Sequence, residues 1–417
     1  MSAGDAFEIS PPVKAGVPAG SRKAEPWFIV LCCVLGTAVG GSTMAGFGLG
    51  GFLKDIVRDL NWTRSGASNA ISLYLIGLGT SGWLTGIFID RFGVRRTAIV
   101  SIILMATLLA GVSMAQTPLW LQGLCLLMGL VAGGTTSLPY MVVISARFSR
   151  NRGLALGLGS AGAGLGGVIL PLIVALTAES YGWRAGMMII ATAVLAIAVP
   201  AGLIGLRLPR AMERSGPHVI EGAVQPLFKS RSFWLIAGAI ALATFGVGAA
   251  PVQAIALLTD RGIDRTDAAW IISALSLASI AGRIISGTLM DRYFAPYVAA
   301  AFFLVAAVGL LLILTGANTA VLSFGFILVG LTLGAESDIS GYHVSRYLPR
   351  QQHGRAIGLL VAAFSLSNAL GVSAFGYSFD LFGSYAPGLL FGVIITPLAA
   401  LLIARLGPYS AAVPSRV

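Results

Sequence analysis

Apolar runs of about 20 residues, each long enough to cross the roughly 30 Å of bilayer hydrocarbon as a helix, follow one another along the sequence. Only 10% of the 417 residues are charged and 56% are hydrophobic. The chain therefore has too few polar side chains to cover a water-soluble surface of its size. The sequence predicts an all-α membrane protein with twelve transmembrane helices, over residues 27–51, 67–89, 97–116, 119–145, 153–178, 185–207, 232–258, 268–290, 297–316, 319–345, 355–379 and 386–406.

The positive charges lie mostly on one side of this predicted arrangement. The chain carries 27 Lys and Arg against 16 Asp and Glu, a net charge of +11. If the N-terminus is cytoplasmic, cytoplasmic loops and tails hold 20 of the 27 basic residues, outer loops hold six, and Arg283 alone falls within a span. This asymmetry predicts cytoplasmic termini in a bacterial-type plasma membrane, the inner membrane. Because topology and lipid headgroups account for the charge, we expect no nucleic-acid partner.

Segments without apolar runs flank and divide the spans. Residues 1–26 contain four prolines but no apolar core, which predicts a disordered cytoplasmic tail and not a signal peptide. Residues 208–231, with prolines and basic residues, form a predicted cytoplasmic linker between an N-terminal six-helix bundle, 27–207, and a C-terminal one, 232–406. Residues 407–417 form a second predicted cytoplasmic tail.

A short motif occurs twice in the sequence. The stretch Gly86-Ile87-Phe88-Ile89-Asp90-Arg91 returns 201 residues later as Gly287-Thr288-Leu289-Met290-Asp291-Arg292, and each copy closes an apolar run. A duplicated membrane unit gives two pseudo-symmetric bundles, whose interface at mid-membrane can be exposed to either side by rocking. The repeat therefore favours a transporter over an enzyme.

The first copy extends to Gly86-x-x-x-Asp90-Arg91-x-Gly93-x-Arg95-Arg96 in the short loop after the second span. It resembles the signature loop of the major facilitator superfamily, and the resemblance covers the whole chain through the twelve spans, the central loop and the second copy. The alternative is a tight turn with positive-inside charge. The resemblance implies contacts that lock the cytoplasmic side while the outer side is open, with gating residues Gly86, Asp90, Arg91, Gly93, Arg95, Gly287, Asp291 and Arg292.

The two halves differ at one position that suggests a substrate-binding residue. Gly82 in the first half corresponds to Arg283 in the second. An arginine within a span costs roughly 2.5 to 3.5 kcal/mol on insertion scales, so its charge must be compensated. An anionic substrate could do so, because a guanidinium holds a carboxylate through two parallel hydrogen bonds at any working pH. The alternative is a structural pair with a nearby acid.

The sequence around Arg283 resembles that of one group within this superfamily. The segment Gly282-Arg283-x-x-x-Gly287-x-Leu289-x-Asp291-Arg292 is similar to the eighth span of the monocarboxylate and oxalate/formate transporters, in which that arginine binds the substrate carboxylate. Phe52-Leu53-Lys54-Asp55 and Trp62-Thr63 are similar to the same group. Mammalian members pair a first-span lysine with an eighth-span aspartate, whereas those positions here are Phe47 and Ser279. The usual proton-coupling pair is therefore missing.

The tenth span offers two acids that could replace it, Glu336 and Asp338. At 100° per residue they point about 200° apart, so both cannot line the same cavity. A carboxyl group that alternates between a buried setting and one beside Arg283 could take up and release a proton. Glu336 is the favoured candidate for proton coupling, and an inner gate with Arg346 or Arg283 is the alternative.

Other polar and aromatic residues in the spans are candidates for shaping a substrate site. Polar side chains in membrane helices often bond only a neighbouring helix, so each has that alternative. Phe47 would supply an apolar wall. The remaining substrate-binding candidates are Tyr74, Tyr140, Gln253, Ser365 and Asn368.

These features together predict a monomeric secondary transporter that moves a small organic anion, similar to a monocarboxylate, by proton-coupled alternating access. The alternative is a proton-driven efflux pump for amphiphilic or drug-like compounds, with Arg283 as a structural strut. The sequence contains no nucleotide-binding loop, metal-ligand cluster or nucleophile-base arrangement. We therefore expect no enzymatic activity, no cofactor and no metal, and the partners are the anion, protons and the lipid bilayer.

Overall fold

A computed structural model describes residues 27–148, 151–207, 227–349 and 352–409. Within these ranges all regular structure is helical, as the sequence predicts. The predicted N-terminal tail, most of the linker and most of the C-terminal tail (1–26, 208–226 and 410–417) lie outside the described residues. At the end of the predicted linker, Leu227–Lys229 form a 3-10 turn and the seventh span begins at Arg231, where Ser230 accepts a hydrogen bond from the backbone N–H of Phe233.

Ten described helices are long and apolar enough to cross a membrane, and a bent pair supplies an eleventh span. One of the ten, Leu154–Gly205, has 52 residues, about 78 Å of helix, which is enough for two crossings. The described chain therefore contains the twelve predicted spans. The remaining single spans are Arg64–Phe92, Val94–Ser113, Pro118–Arg147, Arg231–Asp260, Arg265–Arg292, Ala295–Thr315, Thr319–Tyr347, His353–Phe382 and Ala386–Ala404.

The fifth and sixth spans, residues 154–181 and 183–205, meet at Gly182. Its φ of 77° lies in the left-handed region, which glycine enters without a steric penalty. The chain kinks at this residue, where two helices meet, because its dihedral angles are not helical. One glycine therefore turns a single apolar run into two membrane crossings.

The first span is bent by 67° between Trp27–Thr43 and Phe47–Asp59, and it extends eight residues beyond the predicted end at residue 51. The bend passes through the glycine-rich stretch 40–51, where π-helical and 3-10 turns replace regular helix. Gly50 lies so close to the backbone of Val252 in the seventh span that a Cβ would come within 2.3 Å of its carbonyl oxygen. The glycines thus weaken the helix and allow the two halves to touch.

An even number of spans places both ends of the helical region on one side of the membrane. We call the side with Trp27 and Ala404 the terminal face, and the other side the opposite face. The turns at the terminal face include the duplicated motif, whereas the opposite face contains the ends of the first, seventh and eleventh spans, at Asp59, Asp260 and Phe382.

Candidate functional site

The second and eleventh spans, one from each half, approach each other closely toward the opposite face. The Ser72 hydroxyl donates to the carbonyl oxygen of Ala369 over 2.7 Å. Further along, a Cβ on Gly79 would lie 2.5 Å from the Cβ of Ser365. Two turns beyond Gly79, a Cβ on Gly86 would have no neighbouring atom within 4 Å. The helices therefore separate toward the terminal face.

The fifth and eighth spans repeat this pattern. The Ser273 hydroxyl donates to the carbonyl oxygen of Val168 over 2.6 Å, and a Cβ on Gly164 would lie 2.6 Å from Ile280. At Gly157 and Gly287, nearer the terminal face, a Cβ would meet nothing within 4 Å. Both interface pairs thus diverge in the same direction, and the two halves enclose a space between them.

That space is a cavity of about 540 Å³ between the two halves. It is bordered by the first and fifth spans on one side and by the eighth and tenth spans on the other. Among its lining residues Arg283 is the only one with a charged side chain. The lining consists of Ser42, Thr43, Phe47, Leu154, Gly157, Leu158, Ser160, Ala161, Ala163, Gly164, Leu275, Ser276, Ser279, Ile280, Arg283, Ile284 and Leu333.

Arg283 is held in this cavity by hydroxyl groups from both sides of it. Its Nη1 donates to the hydroxyl oxygen of Ser160 over 3.1 Å, and its Nη2 donates to that of Ser337 over 3.2 Å. No carboxylate in the described part of the chain lies within 4.0 Å of its guanidinium nitrogens. Asp338 attracts it from farther away, and the Ser337 hydroxyl donates to Asp338 over 3.4 Å. The arginine is therefore solvated by neutral donors and acceptors, without a direct ionic partner.

Phe47 and Ser279, which stand where the mammalian carriers have their lysine and aspartate, both line the cavity. A Cβ on Gly167 would lie 2.9 Å from Phe47 Cε2 and 2.6 Å from Ser276 Oγ, so the ring, the hydroxyl and the fifth span meet there. The small hydroxyl residues of the lining were not among the candidates from sequence. A run of serines at helical spacing, Ser276 and Ser279 before Arg283, is the signal that could have identified them.

Tyr74 and Tyr140 were predicted to bind substrate, but the structure places both away from the cavity. Each is fully buried among the spans of the N-terminal half. The Tyr74 hydroxyl donates to the carbonyl oxygen of Gly41, at the bend of the first span. The Tyr140 hydroxyl faces Gly36 and has no partner among the described residues. In this conformation both residues pack helices together.

Gln253 joins the two halves near the opposite face. Its Nε2 donates to Ser68 Oγ over 2.7 Å and to the carbonyl oxygen of Val372 over 3.4 Å, and its Oε1 accepts from the Tyr385 hydroxyl over 3.2 Å. The residue is completely buried. It therefore lies in the closed part of the interface, outside the cavity.

Ser365 and Asn368 of the eleventh span also pack against other helices. Ser365 faces Gly79 of the second span, in the contact between the halves. Asn368 faces Gly248 of the seventh span, where a glycine Cβ would lie 2.5 Å from its Oδ1. That oxygen is buried without a partner among the described residues.

The two acids of the tenth span lie in different surroundings, as their spacing predicts. Glu336 is buried and accepts a hydrogen bond from the hydroxyl of Thr244 in the seventh span, inside the C-terminal half. Asp338 is partly exposed and lies on the side of Arg283. His343, one further buried group of this span, bonds the Ile339 carbonyl through Nδ1. Of the three, Asp338 is the one close to the cavity arginine.

The opposite face is closed by a charged network that the sequence analysis did not identify. Its centre is Arg64, the first residue of the second span, whose side chain is only 9% exposed. Arg64 Nη2 lies 3.2 Å from Asp260 Oδ2, and Nη1 donates to the Tyr385 hydroxyl over 2.9 Å. Its guanidinium also lies 4.6 Å from the centre of the Phe379 ring. All of these partners belong to the other half.

Asp380 adds a helix cap across the same interface. Its two carboxylate oxygens accept from the backbone N–H groups of Arg64 and Ser65, over 3.0 and 2.8 Å, at the start of the second span. A negative charge at a helix N-terminus is favourable because it satisfies free N–H groups and opposes the helix dipole. Charges at span ends are easily attributed to topology, so their pairing was visible only after folding.

Further ion pairs extend this network. Lys54 lies 2.7 Å from Asp260, and Arg265 pairs with Asp55, so both join the first span to the C-terminal half. The ion pair of Arg184 with Asp59 instead lies within the N-terminal half.

The predicted gating residues lie at the open, terminal face. Asp90, Arg91, Asp291 and Arg292 are exposed, and none of them forms an ion pair with another described residue. Gly93 has a φ of 84°, a conformation that suits glycine and forms the tight turn between the second and third spans. The Arg95 Nε is buried without a described partner. A lock at this face stays a prediction, because this conformation has the face open.

Comparison with known families identifies the fold. The sequence profile described as Major Facilitator Superfamily matches residues 35–372, and a second match covers 238–416. The chain belongs to the major facilitator superfamily. As a member, it is a multi-pass membrane transporter, and the predicted fold class is confirmed.

Individual relatives agree with this assignment. Over 390 residues the chain is 26% identical to Monocarboxylate transporter 13 of Bos taurus, covering 87% of this chain and 86% of that protein. The predicted resemblance to the monocarboxylate group is thereby confirmed.

Two solved structures share the fold at low identity. A variant of the nucleoside transporter NupG has a TM-score of 0.74 at 14% identity, over 90% of this chain and 98% of that one. A bacterial homolog of the human lysosomal transporter Spinster, in an inward-facing and occupied conformation, has a TM-score of 0.69 at 15% identity, over 92% and 96%.

Proposed function

We propose that this transporter moves a small organic anion of the monocarboxylate type across a bacterial inner membrane by alternating access, coupled to protons. The termini would be cytoplasmic and the functional unit a monomer. The terminal face would then be the cytoplasmic one, so the conformation described is open to the cytoplasm. Relatives named as monocarboxylate transporters and the basic loops of the terminal face support this proposal.

The observation that carries the proposal is the environment of Arg283. A permanent cation in the cavity between the two halves has two neutral hydroxyl partners and no carboxylate within ion-pair distance among the described residues. A bidentate bond to a substrate carboxylate would satisfy the remaining N–H donors and neutralise the charge. Ser160 and Ser337 come from opposite halves, so both halves hold the guanidinium that would bind the carboxylate.

Replacement of Arg283 tests this directly. We expect Arg283→Ala to weaken binding of a monocarboxylate by about 100-fold, because the desolvated acid loses its charged partner. Arg283→Lys keeps the charge but not the planar fork, so it should recover only part of this loss. Binding is measured by ligand-induced thermal stabilisation of the purified full-length chain. Arg405→Gln, an exposed cation on the terminal face, is the matched control and should bind as the parent does.

Two outcomes would contradict the proposal. One is an unchanged affinity in a folded Arg283→Ala protein. The other is equal binding of a carboxylic acid and its neutral amide by the parent protein.

The sequence favours Glu336 for proton coupling, but in this scheme we favour Asp338, which lies on the side of Arg283, and keep Glu336 as the second candidate. In the described conformation Arg283 attracts the Asp338 carboxylate from beyond ion-pair distance, and the Ser337 hydroxyl donates to it. When cargo neutralises Arg283, that attraction is lost and Asp338 takes up a proton. Substrate and proton would then move together as a neutral pair. Among the described residues the Glu336 carboxylate is hydrogen-bonded to Thr244 alone, and Glu336 is not part of the cavity lining.

The pH dependence of binding separates these two acids. For the parent, affinity should rise as pH falls, since cargo binding then includes proton uptake. Asp338→Asn should remove this dependence, whereas Glu336→Gln should retain it. Proton uptake on ligand addition, recorded with a dye in weak buffer, provides an independent readout. If only Glu336→Gln abolishes the dependence, the assignment to Asp338 is wrong.

Efflux of amphiphilic compounds is the second candidate, favoured by one observation. Most of the cavity wall is apolar, with Leu154, Leu158, Ile280, Ile284 and Leu333 around a single charge. Under this alternative Arg283 would be a strut, and neutral amphiphiles would bind as well as acids. The acid and amide comparison above distinguishes the two functions.

A further inference from the structure

The cavity can neutralise one negative charge and no more. Arg283 is the only charged side chain of its lining, and the other polar groups there are hydroxyls, of Ser42, Thr43, Ser160 and two serines of the eighth span. A second carboxylate on the cargo would lie among apolar and hydroxyl groups. An unpaired charge in such surroundings is strongly disfavoured. The lining therefore selects for monoanions.

The charged and aromatic ends of the cavity are well separated along the membrane normal. Ser276 and Arg283 are seven residues apart on one helix, about 10 Å along its axis, and share a face. The ring of Phe47 lies at the level of Ser276, since both touch the position of a Cβ on Gly167. The guanidinium lies toward the terminal face and contacts Ser160. A ligand that uses both ends must be elongated.

The surface between these ends is mostly apolar. Ala161, Ala163 and Gly164 of the fifth span and Ile280 of the eighth line it, and the Ser279 hydroxyl is the polar exception. The cavity volume of about 540 Å³ lies within the range that holds drug-sized ligands. An acid of two or three carbons would leave most of this apolar surface exposed to water in the cavity.

We infer that the cargo is an amphiphilic monocarboxylate with an apolar body of about 10 Å, such as a medium-chain alkanoate or an arylalkanoate. Its carboxylate would bind Arg283 and its far end would contact Phe47. This inference rests on the proposed function and adds the size and polarity of the substrate. Ser276 and Ser279 line the same path and accommodate no charge.

A homologous series of acids tests the inference on the full-length chain in nanodiscs. The probes are acetate, hexanoate, octanoate and 3-phenylpropanoate, with octanedioate and octanamide as length-matched controls. Each buried methylene should tighten binding about threefold to fourfold, up to octanoate. Octanedioate, with a charge at each end, and octanamide, with none, should each bind at least about 30-fold more weakly than octanoate.

Variants of Phe47 locate the distal end of the ligand. Phe47→Ala should weaken octanoate at least about tenfold while changing acetate less than twofold, because only the longer chain reaches the ring. Phe47→Leu keeps most of the volume and should selectively weaken 3-phenylpropanoate relative to octanoate. Phe324→Ala, an exposed phenylalanine that does not line the cavity, is the matched control and should behave as the parent.

The outcomes separate this inference from the function on which it rests. If affinity depends on Arg283 but is flat from acetate to octanoate, the inference is overturned and the proposed function stands. Equal losses for every acid in Phe47→Ala, or tight binding of octanedioate, would also overturn it. If no acid of any length binds in an Arg283-dependent way, the proposed function itself fails.

Discussion

The two faces of this transporter are built from the same pairs of helices but differ in what holds them. At the opposite face, Ser72 bonds the backbone of the eleventh span and Arg64 contacts three side chains of the other half. At the terminal face, Gly86 and Gly287 would meet nothing within 4 Å, even with a Cβ added. The closed face depends on charge pairing and on close contact between helices. At the open face the same helices are apart, and their small residues leave room for them to come together in another conformation.

The comparison also explains why the duplicated motif and the ionic network lie on different faces. The motif loops sit at the terminal face, and the network of Arg64, Asp260 and Asp380 sits at the opposite face. Under the proposed alternating access, each set would be engaged only when its own face is closed. Weakening either set should then shift the population between two states in opposite directions.

Loss of Arg64 should have the largest effect on this balance. Arg64→Ala removes the guanidinium contacts to Asp260, Tyr385 and Phe379, after which Lys54 is the one cation of the described chain still paired with Asp260. Because Arg64 is nearly buried, we expect its loss to destabilise the conformation with a closed opposite face by about 2 kcal/mol. This corresponds to roughly a 30-fold shift in population toward the conformation open at that face. A cysteine at Ser72, which is buried here, should then react faster with a membrane-impermeant maleimide added from that side.

Arg184 provides the matched control for this experiment. It pairs with Asp59 at the same face, but both residues belong to the N-terminal half. Arg184→Ala should lower thermal stability without changing the reactivity of a cysteine at Ser72. If Arg64→Ala and Arg184→Ala label the cysteine equally fast, the contacts of Arg64 across the interface do not close this face.

Substitution of Gly79 should have the next largest effect, of about 1 to 2 kcal/mol, because overpacking a tight contact is destabilising, and Gly86 of the same helix gives the comparison at the open face. Gly79→Leu would collide with Ser365 and push the second and eleventh spans apart, so a cysteine at Ser72 should label faster. Gly86→Leu fits the present conformation and should leave that labelling unchanged. It should nevertheless slow uptake into proteoliposomes, because the added side chain obstructs closure of the terminal face.

Gly123 of the fourth span is a control for both, since a Cβ there meets no atom within 4 Å and the residue lies at neither interface contact described above. Gly123→Leu should transport and label as the parent does. Normal uptake in Gly86→Leu would show that the second and eleventh spans do not approach each other at this level during transport.

Lys54 should give the smallest effect. It pairs with Asp260 over 2.7 Å, but its side chain is 38% exposed, so the pair is screened by water. Lys54→Gln should change the free-energy difference between the two conformations by less than about 1 kcal/mol. Its difference from the parent should vanish at roughly 1 M salt. Labelling of a cysteine at Ser72 at low and high salt measures both. An effect as large as that of Arg64→Ala would mean that the network acts as one unit.

Several features of the fold followed from residue patterns alone. Twelve apolar runs and the repeated loop after the second and eighth spans predicted the all-α membrane fold and its superfamily. The unusual position of Arg283 was equally visible, because one charge in a span stands out against apolar neighbours. The opposed directions of Glu336 and Asp338 followed from helical geometry. These are local properties, set by composition and helical period.

The choice of which helix faces which was decided only by tertiary structure. Tyr74, Tyr140 and Gln253 are as polar as cavity residues, yet each packs against another span, while the plain serines at 160 and 276 line the cavity. Arg64 and Asp260 are 196 residues apart, and no local pattern marks them as partners. Helical period determines the side of a helix on which a residue lies, but burial and pairing depend on the helix packed against that side. The sequence by itself therefore determined the spans, the duplication and the isolated charge of Arg283. The packing of the two halves determined the cavity and the closed opposite face.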